Sequence, residues 1–295
     1  MNSSQISRIS MGTANFTKSY GVMKLQAIPL DEIKKISLIM TKFEIMKIDT
    51  ALAYSVPPAE SLEWEADFFR NRDVTTKFAI KNFKSSASES EIVDAFQSNL
   101  DRKNLIKYKN VLVHDFSDLQ GQKGFLTLQV LNKLKSFGLT EGIGFSAYNS
   151  AEIDFALNLF HPDVIQVPLN IFDQRLINSG HINMIKNMGI RVQARSIFLQ
   201  GLLLLKSGAI PTGFEFASNH FKKWWKFVES SSLNSLELCL SFISSLTEID
   251  DYIIGVNDAV QLEQILKVEL SQNELNSNRL AITDIDLLDP RRWSK

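Results

Sequence analysis

Along this chain, short strand-like apolar runs alternate with longer stretches whose apolar residues recur at helical spacing. RISMGT is the first strand candidate, followed by a polar loop through Tyr20. Leu30, Ile33, Ile36 and Ile39 then share one face behind Pro29 and two acidic residues, which predicts a helix over 29–41. EIMKID reads as the second strand and SLEWEADFFRN as a helix. VTTKFAI is the third strand, and SESEIVDAFQSNL is a helix opened by Ser88 with Glu91 three residues on, a capping-box pattern. NVLVHD, GIGFSA, VIQVPL, RVQARS and DYIIGV supply five more strand-like runs. Between them lie GFLTLQVLNKLKSFG, SAEIDFALNLF, LINSGHINMIKNMG and a long stretch rich in Phe and Trp, and DAVQLEQILKVEL closes the series as a helix.

Strands separated by helix-length spacers predict parallel pairing with right-handed crossovers. Repeated eight times without a Ser/Gly/Pro linker, the pattern predicts an α/β fold of the (β/α)8 TIM-barrel type, with residues 1–295 forming one domain. No G-x-G-x-x-G follows the first strand, so the fingerprint of an open dinucleotide-binding sheet is missing. In a barrel the carboxyl ends of the strands meet at one mouth. Three of those ends carry polar residues: Asp49, Lys77 and His114, with Tyr54 just beyond the second strand.

The formal net charge is −1 and no Lys/Arg block occurs, which argues against nucleic acid or an anionic membrane as partner. The single cysteine, Cys239, excludes an intrachain disulfide and reads as a core residue. MNSSQISRIS lacks the apolar core of a secretory signal, and the greasiest stretch, SIFLQGLLLL, is too short to cross a bilayer. We therefore expect a cytoplasmic chain acting on a small molecule.

The polar strand ends suggest proton transfer. A phenol is a weak acid at neutrality, with a pKa of about 10. A neighbouring ammonium favours its ionised form, and a carboxylate can hold that ammonium in place. Tyr54, Lys77 and Asp49 would thus form a relay in which Lys77 lowers the pKa of Tyr54 and Asp49 anchors Lys77. His114 would orient a carbonyl oxygen. No side chain supplies hydride, so a cofactor must. His114-Asp115 also invites a metal reading, but His161, His181 and His220 show no ligand spacing, and we expect no metal. Each polar strand end taken singly has a bland reading, as a helix cap or a solvated terminus. FKKWWKF reads as core packing, and Trp293 lies in a tail that could either cover the mouth or fray.

In order along the chain, MGTANFTKSYG, IDTALAY, TTKF, VLVHD, GIGFSAYN, VIQVPLNIFDQR, RSIFLQGLL and IIGVNDAVQLEQI resemble the aldo-keto reductase superfamily. The resemblance is to a bacterial branch associated with surface-polysaccharide or deoxysugar biosynthesis. It implies an eight-stranded barrel and carbonyl reduction with NADP or NAD, Tyr54 matching the general acid and Asp49, Lys77 and His114 its partners. It also implies that Gly12 and Thr13 lie at the cofactor, and that Ser146 and Gln166 bind the nicotinamide carboxamide. Arg195 falls where an aromatic commonly stacks on the nicotinamide, a role a guanidinium plane can also fill. Ser196, Leu199, Gly201 and Leu202 match the loop that crosses the pyrophosphate, and Gly255, Asn257 and Gln261 the adenosine end. Three departures stand out. Ala147 replaces an asparagine, the run after Tyr54 is Ser-Val-Pro-Pro-Ala-Glu, which the prolines stiffen, and Asn257-Asp258 replaces cations that would meet a 2′-phosphate. Two further readings fit these residues: a catalytically weak barrel that binds cofactor as a regulatory subunit, and sugar modification without net redox.

Overall fold

The computed structural model describes residues 1–16, 27–54, 62–271 and 275–293. The strands are β1 (Ile9–Gly12), β2 (Lys47–Asp49), β3 (Asp73–Phe78), β4 (Tyr108–Val113), β5 (Thr140–Ser146), β6 (Val164–Pro168), β7 (Arg191–Arg195) and β8 (Asp251–Ile254). They close in sequence order into one parallel barrel. Closure is made by β1 against β8, with Ile9 opposite Tyr252 and Met11 opposite Ile254. Helices α1 (Leu30–Lys42), α2 (Leu62–Phe69), α3 (Glu89–Arg102), α4 (Gly121–Ser136), α5 (Ser150–Leu157), α6 (His181–Asn187), α7 (Ser218–Glu229), α8 (Ser235–Ser245) and α9 (Ala259–Lys267) lie between and after the strands.

Periodicity placed these helices, and local chemistry sets their ends. Ser88 accepts from the Glu91 amide while Glu91 reaches back to the Ser88 amide, the capping box expected from the sequence. The same device starts α8 with Asn234 and Glu237. The stretch LINSGHINMIKNMG, between the sixth and seventh strands, holds a single helical turn, Arg175–Asn178, and α6, divided at Gly180, whose φ of 77° is left-handed. A side chain is strained there, so the helix ends and a new one begins. The polar loop through Tyr20 and the proline-containing run after Tyr54 lie outside the described residues.

The hydrophobic layer is where the pattern placed it. Ile33, Ile36 and Met40 of α1 and Ile92, Phe96 and Leu100 of α3 are fully buried. Gly144 lets β5 and β6 come together, since a Cβ there would stand 1.8 Å from the Val164 carbonyl oxygen. Cys239 is buried, as expected, and Trp224 and Trp225 are core residues whose indoles donate to the carbonyls of Leu203 (3.0 Å) and Leu205 (3.2 Å). Trp293 is packed rather than frayed, edge-on to Phe214 with ring centroids 5.0 Å apart.

The barrel interior is polar along its axis, where branched aliphatic layers are the usual filling. Gln166 on β6 donates to Gln193 Oε1 on β7 at 3.3 Å. Gln193 in turn donates to Asp251 Oδ2 on β8 at 3.3 Å and to Thr75 Oγ1 on β3 at 3.5 Å. Asn110 on β4 donates to the same threonine at 2.9 Å. Asp251, at the amino-terminal end, is held by Lys47 (2.5 Å) and Arg191 (2.7 Å).

Candidate active site

The carboxyl ends of the strands converge on a cleft of about 540 Å³. Asp49 is the last residue of β2, Lys77 lies one residue before the end of β3, and His114 follows β4 directly. Tyr54 arrives on the turn after β2, its amide bonded to the Ala51 carbonyl at 3.0 Å. All four line the cleft. The Tyr54 and His114 rings meet edge-on, centroids 6.3 Å apart.

Lys77 and Asp49 form a buried ion pair, Nζ to Oδ1 2.5 Å, each side chain 6% exposed. Gln166 completes it. Its amide nitrogen donates to Asp49 Oδ2 at 2.8 Å, and its oxygen accepts from Lys77 at 3.2 Å. Lysine needs an acceptor and the carboxylate a donor, so the amide has only one workable orientation.

This arrangement corrects the expected relay. Lys77 is hydrogen-bonded to Asp49 and Gln166, not to Tyr54, and the phenol is displaced upward, not downward. Loss of solvation is the main cause, followed by the Asp49 carboxylate, with Arg195 pulling the other way. Tyr54 therefore stays protonated throughout the neutral range, the state required of a donor. His114 is pushed down from 6.5 to about 3, first by desolvation and then by the positive charges of Lys77, Arg195 and Lys81. It is a neutral imidazole here.

That shift has a measurable consequence. Between about 3 and 6.5 the unfolded chain takes up a proton at this histidine that the folded chain refuses. Folding stability at His114 is thus intact above 6.5 and is lost as pH falls toward 3. Histidine ring NMR shifts recorded from pH 8 to about 5 should leave the His114 signal unmoved. A midpoint near the ordinary histidine value would contradict this environment.

Of the residues expected at the cofactor, Gly12, Ser146, Gln166, Arg195, Ser196, Gly201, Gly255, Asn257 and Gln261 line the cleft. Thr13, Leu199 and Leu202 do not. Thr13 is buried and its hydroxyl meets that of Thr50 at 2.8 Å, and the two leucines are core residues, 1% exposed. Gln166 has both amide hydrogens committed, to Asp49 and Gln193, and its oxygen accepts from Lys77. At the Ala147 position only the backbone remains polar, and its carbonyl accepts from Arg195 at 3.2 Å. The loop after β7 carries left-handed backbone at Ser196 (φ 60°), Leu199 (48°), Gln200 (52°) and Gly201 (92°). Such concentrated strain is a mark of functional loops. Gln200 and Gly201 face the cleft there.

One residue escaped the sequence reading. Tyr148, two positions after Ser146, lines the cleft, with Arg195 Cζ 3.9 Å and Arg291 Cζ 3.7 Å from its ring centroid. Arg291 comes from the C-terminal segment and is tied to Glu152 (3.1 Å) and Asp289 (2.7 Å). The tyrosine stood in the quoted run GIGFSAYN, but its arginine partners are distant in sequence. Among the described residues no cluster of three or more His, Cys, Asp or Glu side chains could hold a metal ion, and no helix is long and apolar enough to cross a membrane.

The barrel is shared with solved structures at low sequence identity. The aldo-keto reductase AKR11C1 from Bacillus halodurans in its holo form superposes with a TM-score of 0.71 at 17% identity, covering 97% of this chain and 95% of that one. The glycerol dehydrogenase AKR11B4 from Gluconobacter oxydans gives 0.67 at 18% identity, over 96% and 92%. The aldo-keto reductase AKR2E5 of the silkworm Bombyx mori gives 0.63 at 16%, over 92% and 82%. These likenesses speak for the fold. A comparison with curated proteins finds no match. The sequence itself fits the model of the aldo/keto reductase family over residues 8–284, a span running from just before β1 into the C-terminal segment. On that match the chain belongs to the aldo/keto reductase family and is an NAD(P)-dependent oxidoreductase of the carbonyl-reducing kind.

Proposed function

We propose that this chain, acting as one barrel domain over residues 1–295, reduces an aldehyde or ketone on a sugar derivative to the alcohol, with Tyr54 as general acid. The observation that carries the reading is the buried Lys77–Asp49–Gln166 cluster at the foot of the cleft, beside a phenol that holds its proton. A reduced nicotinamide, when bound, supplies the hydride that the side chains cannot. The residues fit such a group. The cleft runs unbroken from Tyr54 to Gln264, Ser146 offers a hydroxyl at the reacting end, and a Cβ at Gly201 or Gly255 would meet nothing within 4 Å.

The side chains divide the remaining work. His114, neutral, donates to the carbonyl oxygen and holds it near Tyr54 Oη. As charge grows on that oxygen, Tyr54 gives up its proton, and the phenolate left behind is stabilised by the Arg195 guanidinium, the cation that already pulls its pKa down. The carboxylate of Asp49 opposes that phenolate, so the Lys77 ion pair and the Gln166 amide, which neutralise and orient the carboxylate, make the transfer possible. The polar groups of the lining near Tyr54, the His114 imidazole and the Arg195 guanidinium, suit a hydroxylated substrate.

The reading is tested by offering sugar-derived and simple carbonyls with reduced dinucleotide, and identifying the product by mass spectrometry. The alcohol should form with one equivalent of cofactor oxidised. Turnover without net oxidation would replace this reading with sugar modification, and binding without turnover would make the chain a regulatory cofactor-binding subunit.

A further inference from the structure

The end of the cleft remote from Tyr54 is lined by Leu236, Gly255, Asn257, Gln261, Gln264 and Ile265, with no cation among them. It abuts the amino terminus of α9. A helix start of this kind ordinarily offers free N–H groups and a positive dipole end to an anion. Here the chain has filled it with its own carboxylates. Asp258 is the N-cap and accepts from the Gln261 amide at 2.7 Å. Glu32, reaching over from α1, accepts from the Ala259 amide at 2.7 Å. The neighbouring side chains are tied to each other: the Gln261 side-chain oxygen accepts from the Asn257 backbone amide at 2.9 Å, and Asn15 donates to Asn257 Oδ1 at 3.1 Å. One lysine of α1 and one of α9 are also engaged. Lys35 pairs with the other oxygen of Glu32 at 2.8 Å, and Lys267 pairs with Glu263 at 3.0 Å on the exposed side of α9.

From this arrangement we infer that the enzyme selects NADH over NADPH, and that Glu32 and Asp258 are the residues that set the choice. The inference rests on the oxidoreductase reading above, which puts the reacting end of a dinucleotide at Tyr54 and its adenosine at the far end of the cleft. Glu32 and Asp258 stand behind that lining rather than in it, Asp258 between the lining residues Asn257 and Gln261, and by occupying the terminus of α9 they set two negative charges where a 2′-phosphate would need its positive field. Among the described residues it would find no guanidinium or ammonium lining that end, so the strong charge-assisted contact such a phosphate needs is missing. A ribose diol meets no such conflict, and the neutral amides of Asn257, Gln261 and Gln264 suit it.

The test is equilibrium binding, read by quenching of intrinsic tryptophan fluorescence and by calorimetry, independent of turnover. Wild-type protein should bind NADH at least about tenfold more tightly than NADPH, and ADP more tightly than 2′,5′-ADP by a similar factor. Rising salt should narrow both gaps, because the discrimination is electrostatic. Glu32→Gln and Asp258→Asn each keep an acceptor for the helix amide while removing a charge, so the fold is preserved. Each should tighten NADPH several-fold and leave NADH nearly unchanged, and the double variant should bring the two close to parity. Lys35→Met should weaken NADPH little. Equal or tighter NADPH binding by the wild type overturns the inference, as does a double variant whose selectivity does not move. A loss of NADPH affinity in Lys35→Met would transfer the recognition to that lysine and overturn it as well. Failure to bind either dinucleotide would instead defeat the oxidoreductase reading on which the inference stands.

Discussion

Tyr54→Phe should lower the single-turnover rate of carbonyl reduction by about 10²–10⁴-fold, the usual worth of a positioned general acid. The substitution keeps the ring and its edge-on contact with His114 and removes only the proton and its oxygen. Cofactor affinity should therefore hardly change, and folding stability should not fall, because the hydroxyl is not part of the Lys77–Asp49–Gln166 cluster. Because the phenol of Tyr54 is displaced upward, the wild-type rate should show no ionisation step of this residue below about pH 9, near the ordinary tyrosine value. Burst-phase oxidation of the reduced dinucleotide with a reactive aldehyde measures the rate. If Tyr54→Phe turns over like wild type, the proton comes from another group and the proposed mechanism is wrong.

The second large effect concerns the ion pair. Lys77→Met leaves a carboxylate buried with a single amide partner, and Asp49→Asn leaves a buried ammonium with none of its charge offset. Breaking a buried pair from one side typically costs about 3–5 kcal/mol. Each single variant should lose stability of that order in urea denaturation and should also lose most activity. The double variant Asp49→Asn/Lys77→Met should recover most of the stability, since no bare charge remains and the introduced amide can still meet Gln166. It should not recover activity, because Gln166 then loses the ammonium that fixes its amide and the groups beside Tyr54 are no longer held in one arrangement. A double variant that regains turnover would reduce the pair to scaffolding. Singles that unfold no more easily than wild type would show that the pair is open to water.

The barrel was legible because its determinants are local and repeated: strand-length apolar runs, helix-period spacers and a capping box at Ser88. Between β6 and β7 Gly180 divides the helical stretch, because one left-handed residue outweighs the apolar spacing on either side of it. Asp49, Lys77 and His114 could be placed at one mouth from topology alone, since strand ends in a parallel barrel must converge. The partition of hydrogen bonds among them was not legible. Whether Lys77 serves Tyr54 or Asp49 depends on Gln166, which arrives from β6 and is 117 positions from Asp49. Glu32 was invisible as a determinant of the adenosine end for the same reason. It sits in an ordinary amphipathic helix, and only the packing of α1 beside α9 brings its carboxylate to the Ala259 amide.

The polar axis of the barrel bears on how the chain folds. Asp251 gathers Lys47 and Arg191, Gln193 joins it to Thr75, and Gln166 passes the network on to Asp49 and Lys77, so partners come from β2, β3, β6, β7 and β8. An apolar interior can be filled piecemeal, with each added strand burying a little more surface. A charged one cannot, because any intermediate lacking a strand leaves a dehydrated carboxylate or amide without its mate. Half-closed barrels are thereby penalised out of proportion to the contacts they lack. The chain should unfold as a single cooperative unit, and severing it between β4 and β5 should yield fragments that acquire order only together.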